Sequence, residues 1–127
     1  MTLVGDQGLD AEEYAQRRAA FRVALRLPVW VEYPAEVSCE LQDISLLGAS
    51  IDCALPCDFG DRCEFVLVTE DFGTVPLTGQ VVRTGQGSTA LRFIETDHQA
   101  ARAVRDLVSA AQRRELRNRS RVGIGHG

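Results

Sequence analysis

Arg17, Arg18 and Arg22 fall within six positions in the run QRRAAFR, and Asp43, Ser45 and Gly48 follow in the run DISLLG, with Asp43 twenty-one residues after Arg22. An arginine guanidinium is planar and permanently charged, grips phosphate oxygens bidentately and stacks on purine rings. A carboxylate accepts two N–H bonds from the Watson–Crick edge of guanine, and a serine hydroxyl adds a donor or an acceptor. Glycine permits a positive φ or the close approach of a ligand. Together these residue types suit a ligand that contains phosphate and carries a hydrogen-bonding base. Taken singly, each run has an ordinary explanation: R-x-x-x-R is a solvated basic helix end, and D-x-S-x-x-G is an Asx-type turn between strands.

The elements that must position these residues follow from periodicity. Residues 10–20 read as a short helix, with Asp10 as N-cap and Glu12 and Glu13 favourable to the first-turn dipole. The period then changes to two. Strands are expected over 27–33, ended by Pro34, over 36–43, and over 49–53 beyond the DISLLG turn. Three more follow: 63–69, 74–83 with a bend at Gly79, and 89–95 after a Gly85–Ser88 hairpin turn. Six short strands at close spacing predict a small antiparallel β-barrel. A C-terminal helix follows, with Thr96 and Gln99 as a capping box and Val104, Leu107, Val108 and Ala111 as its apolar stripe. Residues 113–127 read as a basic, partly disordered tail, and residues 1–15 as an N-terminal extension.

Composition narrows the function. The chain has 127 residues, 45% of them hydrophobic and 25% charged, as expected of one globular domain. A net charge of −4 argues against binding a nucleic-acid polymer. All fourteen cations are arginine, so no lysine is present to serve as a P-loop cation or Schiff base. No apolar run is long enough to insert in a membrane, and the start of the chain does not resemble a secretion signal, so the cytoplasm is the expected location. His98 and His126 are the only histidines, and no nucleophile–base pair is visible, so no catalytic residue is assigned and an enzyme is not expected. Cys39, Cys53 and Cys63 fall on the apolar phase of strands and read as core residues, whereas Cys57 lies in a turn-like stretch. Their spacing matches no paired zinc motif; a site from Cys53, Cys57 and Cys63 is the one metal alternative, and none is assigned.

The order RRAAFR, then DISLLGASI, then GQVVR (79–83) and ALRF (90–93), within six strands and a closing helix, resembles the PilZ domain family over about residues 16–110. That family receives the bacterial second messenger cyclic di-GMP. The resemblance implies a split barrel over 16–112 including the closing helix, and no cofactor beyond the ligand. It implies that Arg18 and Arg22 clamp the dinucleotide phosphates and stack on guanine, and that Asp43, Ser45 and Gly48 line the guanine site. It associates Arg17 with an intercalated ligand dimer and places Arg83 where a base can be contacted. Ala90 departs from the family pattern, standing where relatives often carry glycine. The implied function is a receptor that changes conformation on binding and signals to a downstream protein in motility, biofilm or a related output, as monomer or homodimer. The alternative is a PilZ-fold adaptor that binds proteins and has little or no affinity for the dinucleotide.

Overall fold

The computed structural model describes residues 11–12 and 21–125, with side chains through Arg119. Arg17 and Arg18, and most of the expected N-terminal helix, lie outside the described residues. Seven strands and one helix follow: β1 (Val23–Ala24), β2 (Pro28–Tyr33), β3 (Val37–Ile44), β4 (Gly48–Ile51), β5 (Arg62–Val68), β6 (Thr74–Gly85), β7 (Ser88–Ile94) and α1 (His98–Gly125). All pairings are antiparallel. The order β3-β2-β5-β6-β7-β4, with β4 paired back to β3, closes a six-stranded barrel. The closed ring leaves none of its six strands as a free sheet edge.

β1 stands outside that ring. It pairs with β3 alone, on the same edge that β2 uses further along. Between them, Leu25 N–H donates to Gln42 O at 3.3 Å and Leu41 N–H donates to Leu27 O at 2.8 Å. β1 and β2 are therefore one interrupted line of backbone running along β3.

Alternation fills the barrel. Val29 and Val31, Cys63, Phe65 and Leu67, Val75, Leu77 and Val81, and Leu91 are all buried in one cluster. Phe65 and Phe93 stack with centroids 6.5 Å apart. In β6 the register breaks between Val81 and Arg83. Gly79, where the sequence suggested a bend, stays in register, and a Cβ there would lie 3.0 Å from the Leu91 side chain. Its smallness serves core packing and the irregularity comes three residues later. The β6–β7 hairpin turns at Gln86 (φ 56°) and Gly87 (φ 76°). Two positive φ values in a two-residue loop define a type I′ turn, and glycine supplies the second without strain.

α1 adds Ala100, Ala103, Val104, Leu107, Val108 and Ala111 to the barrel core and packs against β1 and β6. Its N-cap is Asp97, whose Oδ1 accepts from Ala100 N–H at 2.8 Å. The expected cap at Thr96 is thus displaced by one residue, because Asp97 is an equally good acceptor and stands nearer the first helical turn. The helix also runs past Ala111, where the apolar stripe ends, through the stretch read as a tail. Arginine, glutamine, glutamate and leucine there all favour helix. No helix among the described residues is long and apolar enough to cross a membrane.

Candidate ligand-binding surface

The strand that carries Asp43 contains an irregularity. Strict alternation from Leu41 would turn Asp43 into the barrel and Ile44 out. The β3–β4 register shifts between Leu41 and Asp43 instead. The extra residue resets the phase, so Ile44 is fully buried and Asp43 is half-buried at the surface. Arg22, immediately before β1, reaches Asp43 Oδ1 through Nη1 at 2.5 Å. Both side chains remain partly exposed to solvent.

Ser45 and Gly48 build the turn beside this pair. Ser45 is buried, and its Oγ accepts from the N–H groups of Leu47 (3.1 Å) and Gly48 (3.2 Å). Ser45 N–H donates to Gly48 O at 2.8 Å. A Cβ on Gly48 would lie 2.1 Å from Leu91 O, so glycine is required for β4 to approach β7. The resemblance had both residues lining the guanine site. In this structure the Ser45 hydroxyl is engaged by its own turn, and the close approach at Gly48 is to backbone. β3 ends at Ile44, between a half-buried Asp43 and a buried Ser45.

Arg83 is exposed and belongs to the same transverse row. Asp43 faces Ser50, Ser50 faces Ala90, and Ala90 faces Arg83. Three strand spacings separate Asp43 from Arg83, roughly 14 Å along the row. Ser50 and Ala90, small and buried, form the floor between them. The neighbouring row runs Gly48, Arg92, Gln80, Arg62. Arg92, exposed on β7 beside Gly48, is a further cation of this surface that neither motif contains. The signal for it was available: in ALRF, Leu91 is the inward residue, so Ala90 and Arg92 both face out. At the far end Arg62 is already paired with Glu95 at 2.7 Å and Glu64 at 3.2 Å. Arg26, the other member of an overlapping R-x-x-x-R pair, bridges to Glu40 at 3.2 Å.

The surface thus has a small-residue floor, with the Arg22–Asp43 pair at one end, Arg83 at the other and Arg92 flanking it on β7. A groove of about 850 Å³ lies between α1, the 25–28 segment and the 68–72 segment, and none of Arg22, Asp43, Arg83 or Arg92 lines it. Among the described residues no group of three or more His, Cys, Asp or Glu side chains is arranged to hold a metal ion.

The family model for the PilZ domain matches residues 16–110, three quarters of the chain, and includes the arginine segment, the turn and the whole barrel. The chain belongs to the PilZ domain family. Solved PilZ structures share its fold. The PilZ domain of CeSA from a cellulose-synthesizing bacterium has 21% identity and a TM-score of 0.60, covering 73% of this chain and 99% of that one. The PilZ domain of YcgR from Escherichia coli, solved with c-di-GMP, has 18% identity and a TM-score of 0.64, covering 83% and 98%. The Bacillus subtilis inhibitor of motility, MotI/DgrA, has 18% identity and a TM-score of 0.62, covering 77% of this PilZ chain but only 51% of its own length. No curated protein matches the sequence.

Proposed function

We propose that this PilZ chain is a cytoplasmic receptor for cyclic di-GMP that passes ligand binding on to a protein partner in motility or a related output. The observation that carries the reading is the Arg22–Asp43 pair on an outward-facing strand end. It joins the two halves of the motif that the sequence separates by twenty-one residues.

Magnitudes favour exchange at this pair. A partly exposed ion pair contributes only about 0.2–1 kcal/mol. A charge-assisted hydrogen bond to phosphate contributes about 1.5–3 kcal/mol, and Arg22 can make two. A dinucleotide phosphate therefore draws Arg22 from Asp43, and the released carboxylate accepts the N1–H and N2–H donors of guanine. Ser45 and Gly48 act behind this exchange by fixing the turn that holds Asp43 outward. Arg18 adds a second clamp from the preceding segment, and Arg17 favours an intercalated ligand dimer. Arg83 at the far end of the floor and Arg92 at its flank offer stacking or phosphate contacts. The relative solved with c-di-GMP, YcgR, supports the ligand class.

Calorimetric titration with cyclic di-GMP tests this. Wild type is expected to bind at micromolar concentration with about two ligands per chain. Arg22→Ala, Arg18→Ala and Asp43→Ala are each expected to lose roughly tenfold or more in affinity. No heat from the wild type sinks the receptor reading. Unchanged affinity in all three variants sinks the site assignment.

A further inference from the structure

The cysteines of the chain gather at the end of the β3–β4 hairpin away from the DISLLG turn. Leu41 faces Ile51 across that hairpin, and one step further Asp52 N–H donates to Glu40 O at 2.9 Å. Glu40 N–H in turn donates to the Asp52 side chain, at Oδ1, at 2.8 Å, so the chain leaving β4 stays alongside β3 and brings Cys53 beside Cys39. A disulfide spans Cα separations of ~4.4–6.8 Å, the spacing of neighbouring segments held this way. Both side chains are half-buried free thiols packed against the barrel core. Cys53 is held in place, since its carbonyl accepts from Thr89 Oγ1 at 2.7 Å.

We propose that Cys39 and Cys53 form a cross-strand disulfide when the protein meets a peroxide, clamping the hairpin that carries Asp43, Ser45 and Gly48. Each thiol influences the other's titration. Burial pushes Cys39 up to about 12, with Cys53 the next cause. Burial also raises Cys53, but hydrogen bonding from Cys39 pulls it back down. Both thiols stay above the ordinary range, Cys53 with one opposing cause, so the attacking thiolate is a minority form and oxidation is slow. Cys53 attacks the peroxide O–O bond, giving a sulfenic acid and releasing one water. The Cys39 sulfur then attacks the Cys53 sulfur, the S–O bond breaks, and a second water leaves. Two S–H bonds and one O–O bond are exchanged for one S–S bond and two waters, and the peroxide takes the two electrons. A small-molecule thiol reverses the step by thiol–disulfide exchange.

The other two cysteines define the alternatives. Cys57 is half-buried, with its Sγ directed to Leu55 O at 3.7 Å, and Cys63 is fully buried in the core. The full chain, treated with a few equivalents of hydrogen peroxide, is expected to lose ~2 Da per molecule, as two S–H hydrogens leave. Peptide mapping of the wild type is expected to link Cys39 to Cys53. Cys57→Ser is expected to keep the mass loss, and Cys39→Ser and Cys53→Ser to abolish it. Oxidation is expected to raise the Tm by several degrees, with dithiothreitol restoring the starting value. A link that includes Cys57 or Cys63, accumulation of sulfinic acid without a link, or no mass loss overturns the proposal. An unchanged Tm in the linked protein overturns the clamp. The mapping uses wild type, so it stands even where a serine variant fails to fold.

Discussion

Asp43 faces solvent because β3 holds one residue more than its partner strand there. The D-x-S-x-x-G pattern marks it as a candidate ligand residue, but its direction is not legible there: alternation from Val37, Cys39 and Leu41 puts it in the core. Ser45 shows the converse. The motif offers its hydroxyl as a candidate ligand contact, and what the fold adds is a second, structural role: its Oγ accepts from two backbone N–H groups. Ser45→Ala is therefore expected to lower stability by about 1–3 kcal/mol, because buried donors lose their acceptor. Urea unfolding without ligand measures this. A variant as stable as wild type contradicts the structural role. Gly48→Ala is expected to lower stability by ~1–3 kcal/mol or more, since the new methyl meets the Leu91 carbonyl. The same unfolding experiment reads it.

At the scale of elements, the six barrel strands and the closing helix were legible, because their apolar residues recur with a clear period and turns separate them. Two kinds of detail were hidden. Register breaks, such as the one between Val81 and Arg83, leave no mark on residue type. Helix ends depend on which of two adjacent caps is used. Asp97→Ala is expected to cost about 0.5–2 kcal/mol and Thr96→Ala much less, measured by thermal unfolding. Equal losses would return the cap to Thr96. The helix past Ala111 was hidden for another reason: the sequence shows no apolar stripe there, and propensity alone holds the backbone.

For the molecule as a whole, closure depends on β4 pairing with both β7 and β3. Long-range pairing of this kind has no signature in a single sequence beyond strand count. The core also titrates. Burial pushes the Cys63 thiol up to about 12, from a usual value near 9.0. Its folded value lies above its unfolded value, so the stabilisation is complete below pH ~9 and is lost as pH rises toward 12. The urea midpoint is expected to fall across that window, more steeply than in Cys63→Ala. A flat profile contradicts a protonated buried thiol.

β1 has a different standing from every other strand. Removing it breaks no ring, since it pairs with β3 alone. It nevertheless follows Arg22 directly, and α1 packs against it. The molecule thus has a zipper of two residues that can open while the barrel stays shut. Amide hydrogens of Val23 to Leu25 are expected to exchange with deuterium far faster than that of Leu91. Any anion that captures Arg22 then has the means to set how long this zipper stays closed, and so how firmly the helix is seated.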